Sequence, residues 1–190
     1  MARVGPLERR KTLSADRNHR PRVALLDRDG VLNVDVGYTY KPEQLTFIKG
    51  APEAVRRLNE AGWLVVVVTN QAGVARGYYD EAEVHQFHAA MSAALAERGA
   101  RIDAFYHCPF HEDGVVEAYR HDDHPDRKPN PGMLLRALKD FQVAAADAFM
   151  IGDRDSDMQA AERAGVKGYL FGGGNLDGLV QRILAERELA

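Results

Sequence analysis

The chain has 190 residues, 45% hydrophobic and 28% charged, which is enough to bury one sizeable core and short for two domains. Its formal net charge of −3 excludes a general electrostatic drive toward nucleic acid or an anionic membrane surface. The one cysteine, Cys108, excludes an intramolecular disulfide, and no run approaches the roughly 20 apolar residues of a membrane span, so a cytoplasmic protein is expected, as a monomer rather than an oligomer.

Residues 1–20 carry Arg3, Arg9, Arg10, Lys11, Arg17 and Arg20 without the apolar stretch of a signal peptide, and are expected to form a disordered basic tail. Residues 21–190 are expected to form a single domain. Val23-Ala-Leu-Leu-Asp27 is an unbroken apolar run ending in an acid, the pattern of a buried parallel strand. Between Ala51 and Ala61 the apolar positions Ala54, Val55 and Leu58 fall on one helical face, and Gly62 ends that helix. Leu64–Thr69 is a second buried strand. Asp80 with Glu83 makes a capping box for a helix running to about Glu97 and stopped by Gly99. Ile102–Cys108 is a third strand. Asn130 and Pro131 are expected as N-cap and first residue of the next helix. Ala148–Asp153 and Gly168–Phe171 complete the strands, and Gly172-Gly173-Gly174 is expected as a mobile turn. Strand and helix alternate, so the fold class is α/β: a doubly wound, mostly parallel, Rossmann-like sheet flanked by helices. Ligands in such sheets bind outside the carboxyl ends of the strands.

Those ends, or the turns beside them, carry Asp27-Arg28-Asp29-Gly30, Thr69-Asn70, Arg127-Lys128-Pro129 and Gly152-Asp153-Arg154-Asp155-Ser156-Asp157. Asp-x-Asp-Gly alone would also suit a calcium loop or an ordinary turn. In this order the four segments resemble the motifs of the haloacid dehalogenase-like phosphatases, over nearly everything from Val23 to Phe171. Phosphoryl transfer needs an in-line nucleophile, a cation, positioned donors and a proton for the leaving group. Asp27 suits the nucleophile and Asp29, two residues on, the acid and base. These two carboxyls need opposite proton affinities, with Asp27 held ionised by metal and Asp29 able to carry a proton. The resemblance implies Mg2+ held by Asp27, the backbone carbonyl of Asp29, and Asp153, with Thr69 and the Asn70 backbone donating to phosphate and Lys128 neutralising it. Asp157 is expected to steady the site or cap a helix.

Finer matches narrow the substrate. Asp27–Asn33, Gly37-Tyr38, Phe47-Ile48, Thr69–Gly77, Arg127–Met133 and Asp157–Ala161 resemble the branch of that family acting on a heptose bisphosphate or on histidinol phosphate. Arg76 and Arg127 would hold a second anionic group, which favours a sugar bisphosphate over histidinol phosphate; a nucleic-acid 3′-phosphatase is the other alternative. No cap domain fits between Asp29 and Thr69 or between Cys108 and Lys128. The branch implies a structural zinc loop of the form Cys-x-His, then Cys-x-Cys before Arg-Lys-Pro. Here Phe110 occupies the histidine position, leaving Cys108, His111, His124 and Asp126 as candidate ligands. The loop is therefore expected to fold without zinc.

Overall fold

The computed structural model describes residues 20–189. The expected basic tail lies outside the described residues except for Arg20. Five strands alternate with five helices: β1 (Arg22–Leu26), α1 (Ala51–Glu60), β2 (Trp63–Asn70), α2 (Glu81–Ala96), β3 (Ala104–Cys108), α3 (Gly132–Phe141), β4 (Ala148–Gly152), α4 (Asp155–Arg163), β5 (Lys167–Leu170) and α5 (Leu176–Glu188). The strands form one parallel sheet in the order β3-β2-β1-β4-β5.

Both faces of the sheet are covered, which explains the unbroken apolar runs. Ala24, Leu26, Val65, Val67, Phe149 and Ile151 point to one side and meet α1, α2 and α5 through residues such as Leu58, Phe87 and Val180. Their alternates Val23, Leu25, Val66, Val68 and Met150 point to the other side and meet α3 and α4 through Met133, Leu134 and Ala160. Each fully buried aliphatic side chain of this kind stabilises the fold by roughly 1.5–3 kcal/mol.

The capping box of α2 forms as expected, with Glu83 N donating to Asp80 Oδ1 at 2.9 Å and Asp80 N donating to Glu83 Oε2 at 3.0 Å. Helix α3 departs from expectation, for it begins at Gly132 with Pro131 as its cap residue. Asn130 does not cap it: its Oδ1 accepts from Arg163 Nη1 at 3.1 Å instead of from a helix amide, and its Nδ2 donates to Asp123 Oδ1 and the His124 carbonyl and so closes the preceding loop. Helix α5 was not anticipated; it is capped by Asn175, whose Oδ1 accepts from Asp177 N at 3.0 Å. Gly173 and Gly174 just before it have φ of 91° and 93°. No described helix is long and apolar enough to cross a membrane.

The chain winds outward from β1 through β2 to β3, then crosses back to β4 beside β1. That reversal opens a crevice at the carboxyl ends of β1 and β4. Only a flap, a 3-10 turn and α1 separate β1 from β2, and only a loop with one 3-10 turn separates β3 from α3.

Candidate active site

Asp27 follows the last residue of β1, its amide donating to the Ile151 carbonyl of β4 at 2.9 Å, so the sheet ladder itself sets its position. Lys128 reaches it from the turn before α3. The Lys128 Nζ lies 2.9 Å from Asp27 Oδ1, 2.6 Å from Asp157 Oδ1 and 2.9 Å from the Val68 carbonyl, which engages all three donors of the ammonium. Asp27, Lys128 and Asp157 are all buried. Burial pushes the Asp27 carboxyl up to about 7, against the pull of Lys128 and with the help of Asp157 and Asp29. Burial also works against the Lys128 ammonium, but Asp27 and Asp157 outweigh it and hold the amine above its usual value.

Asp153, in the turn between β4 and α4, completes the cluster: one carboxylate oxygen from each of Asp27, Asp153 and Asp157 lies within 4.8 Å of the other two. Asp153 Oδ1 is buried and has no hydrogen-bond partner among the described residues, and burial followed by the charge of Asp157 raises its carboxyl. Gly30, at φ 83°, is required here, because a Cβ would stand 2.2 Å from Asp153 Oδ2. Three clustered carboxylates facing one lysine, with an orphaned oxygen among them, are a donor set that fits a hard divalent cation. Asp157 also accepts from Arg154 N at 3.1 Å, so it pairs with Lys128 and closes the first turn of α4 together.

Asp29 sits in a different environment. Its Oδ2 accepts from Arg28 Nη2 at 2.8 Å and Gln71 Nε2 at 3.0 Å, and its Oδ1 from Asn33 Nδ2 at 2.9 Å. Arg28 is fully buried, donates to the Thr39 carbonyl at 2.6 Å, and lies over the Phe87 ring at 4.6 Å. His88 stands 3.4 Å from Arg28 Nη1 and is pulled down to about 2, by burial first and then by Arg28, so it stays neutral. Gln71 joins the groups: it donates to Thr69 Oγ1 and Asp29, and accepts from Arg28 and Tyr79. Sequence reasoning missed Arg28, Gln71 and His88. The available signal was the strand period, which puts Gln71 on the same side as Thr69 two residues earlier.

The remaining expected residues converge on one cleft of about 340 Å³, whose walls include Asp27, Asp29, Thr69, Asn70, Arg76, Arg127 and Lys128. Asn70 uses its side chain as well as its backbone. Its Nδ2 donates to the Lys128 carbonyl at 2.9 Å and its Oδ1 accepts from Lys128 N at 3.1 Å, which clamps the lysine peptide. Arg76 donates to the Tyr38 hydroxyl and pairs with Asp113 at 3.5 Å. Arg127 donates to the Phe110 carbonyl at 3.2 Å, and among the described residues no carboxylate pairs with it. Arg154, not singled out by sequence, also lines the cleft and pairs with Asp35 of the flap at 2.9 Å.

The candidate zinc ligands do not assemble into one site. Cys108 and His124 approach, with Sγ 3.9 Å from Nδ1, but His111 turns its Nε2 toward Arg76 at 3.3 Å and Asp126 pairs with Arg136 at 2.7 Å. The reason is packing: Phe110 stacks flat on His124 at 3.9 Å between ring centroids, and His121 meets His124 edge-on at 5.0 Å. Burial pushes the Cys108 thiol up to about 11.

Residues 126–182 match the HAD-hydrolase-like family model. The chain is 42% identical over 179 residues to D-glycero-beta-D-manno-heptose-1,7-bisphosphate 7-phosphatase of Rhodopseudomonas palustris, covering 94% of this chain and 98% of that protein. It is 44% identical over 141 residues to the enzyme of the same name from Escherichia coli K12, covering 74% of this chain and 73% of that one. Among solved structures it resembles D,D-heptose 1,7-bisphosphate phosphatase from B. bronchiseptica, complexed with magnesium and phosphate, with 32% identity, a TM-score of 0.78 and coverage of 87% and 99%. At 42–44% identity over most of both chains, the chain belongs to the haloacid dehalogenase-like phosphatases, in the heptose bisphosphate phosphatase family, and is a phosphoric monoester hydrolase.

Proposed function

We propose that the chain removes the 7-phosphate of D-glycero-D-manno-heptose 1,7-bisphosphate by transferring it to Asp27 and then hydrolysing the aspartyl-phosphate. The observation that carries this reading is the buried Asp27 carboxylate in a cleft that Arg76, Arg127 and Arg154 also line. The relatives' names supply the substrate, and three arginines along the cleft suit a second phosphate better than cationic histidinol.

In this reading Asp27 attacks phosphorus, while Lys128 offsets the charge of the nucleophile and the transferring group. Thr69 Oγ1 and the backbone amide of Asn70 donate to the phosphoryl oxygens. Magnesium would be held by Asp27, Asp153 and the Asp29 carbonyl, with Asp157 beside it, and when bound it supplies positive charge against the equatorial oxygens. Asp29 protonates the leaving oxygen and later takes a proton from water. To do so, one of its oxygens exchanges the Arg28 and Gln71 clamp for the reacting oxygen. Arg127 grips the phosphate that stays.

Several further assignments belong to the same proposal: a single domain over 21–190, a monomer, a cytoplasmic setting, and a 108–126 loop that folds without zinc at Cys108. The loop reading is supported by the stacking of Phe110 on His124 and by the dispersal of His111 and Asp126. A panel of kcat/KM values for both heptose bisphosphate anomers, the heptose 7-monophosphate, histidinol phosphate and a 3′-phosphorylated oligonucleotide tests the substrate. The bisphosphate should lead. Arg127→Ala should then raise KM for the bisphosphate by an amount worth about 1.5–3 kcal/mol, the range for a charged hydrogen bond, and leave the monophosphate nearly unchanged. Equal losses on both substrates would return Arg127 to a structural role.

A further inference from the structure

Outside the cleft, a second group of metal-ligating side chains gathers where α2 meets the end of β3. Glu81 opens α2 and His85 follows one turn later, so both project from one face of the helix. His107 comes from β3, one residue before Cys108. One ligand atom from each of Glu81, His85 and His107 lies within 4.8 Å of the other two, and none of these residues lines the cleft. His107 Nε2 and Glu81 Oε2 are 2.9 Å apart. A hydrogen bond accounts for that pair but not for His85, whose ring stands edge-on to His107 with centroids 5.3 Å apart.

The donor types separate this group from the carboxylate cluster around Asp27. All-oxygen donors suit magnesium, whereas two imidazoles with one carboxylate suit zinc and its neighbours in the first transition row. We propose that Glu81, His85 and His107 form a second metal site, for a divalent transition ion such as Zn2+, with three protein ligands and a fourth position open to water. The ion replaces the hydrogen shared between His107 Nε2 and Glu81 Oε2, and the imidazole then carries its single hydrogen on Nδ1. The other oxygen of Glu81 is already fixed, because the Tyr119 hydroxyl donates to Oε1 at 2.7 Å. Such an outer partner orients a carboxylate ligand. Tyr119 belongs to the 108–126 loop, so the ion would join helix, strand and loop at one point.

Cobalt titration of the full chain tests this, in an Asp153→Asn background that weakens the carboxylate site. The expected result is one equivalent of Co2+ with the visible absorption of a nitrogen-ligated, four-coordinate ion. Affinity should fall more than about tenfold in His85→Ala, since a ligand matters at least as much as an outer partner, and persist in Cys108→Ser. His85 is exposed, so its metal-free melting temperature should match the background and a folding defect is distinguished directly. Zinc should raise the melting temperature of the background but not of His85→Ala. Unchanged Co2+ affinity in His85→Ala, or loss in Cys108→Ser with His85→Ala unaffected, would overturn the proposal.

Discussion

The strand-tip site and the 108–126 loop use similar residue types in opposite physical settings. At the strand tips, Asp27, Lys128 and Asp157 are buried and bonded to one another, and the Val68 carbonyl of β2 accepts a third hydrogen bond from the ammonium. In the loop, order comes from ring stacking and from short backbone bonds such as His121 N to the His111 carbonyl at 3.2 Å. Its ion pairs reach water: Asp113, facing Arg76 and His111, is 72% accessible, and Arg136, facing Asp126, is 45% accessible. Charges removed from water have no substitute partner, whereas charges in water do. Disturbing the first region should therefore be felt globally, and disturbing the second only locally.

The largest effect should come from Asp27→Asn, which leaves an amide unable to attack phosphorus. Phosphate release measured at saturating substrate should drop by at least about a hundredfold, the scale expected when one essential group is lost. Turnover closer to wild type would break the covalent reading. Next is Lys128→Met, which strands Asp27 and Asp157 without a counter-charge. Urea denaturation should show a loss of about 3–5 kcal/mol, the scale for removing one partner of a buried ion pair. A loss under about 1 kcal/mol, the level of an exposed pair, would erase the distinction between the two regions.

Phe110→Ala probes the other side of the comparison. It removes the stack on His124, worth about 0.5–1.5 kcal/mol for an aromatic pair. Hydrogen exchange should quicken across the 108–126 loop while amides of β1 and β4 keep their protection. Slower or unchanged loop exchange would mean that something other than stacking orders it. The smallest effect belongs to Arg57 and Asp177, a pair 2.7 Å apart that ties α1 to α5 at the surface. Its hydrogen bonds from Arg57 hold the Asp177 carboxyl below its usual value despite partial burial. The folded state therefore keeps Asp177 ionised where the unfolded chain has taken up the proton. Its contribution is full above the unfolded value and disappears as pH falls through the lower folded one. The melting temperature of Arg57→Ala should lie slightly below wild type at neutral pH and converge with it in acid; a gap that persists in acid would assign the loss to packing.

The two central strands β1 and β2 and the polar groups that end them are legible in the amino-acid sequence, because a strand covered on both faces must be continuously apolar and must stop where polar groups reach the crevice. Val23–Asp27 and Leu64–Thr69 announce both facts. The capping box of α2 was equally legible, since its bonds span three residues. Tertiary structure alone decided the partners of side chains whose spacing carries no period. Arg28 sits between the two acids of its motif with no spacing signal of its own, yet it is fully buried and braces Asp29 through contacts 11 to 60 residues away in the chain. Asn130 has the local signature of a helix cap, but its Oδ1 accepts from Arg163, 33 residues away, and its Nδ2 donates to Asp123 and the His124 carbonyl. Glu81 and His85 were one turn apart in any reading, while His107 joins them only because β3 packs beside that helix. Local bonding competes within a few residues and leaves a pattern; long-range pairing depends on where the sheet brings the chain back.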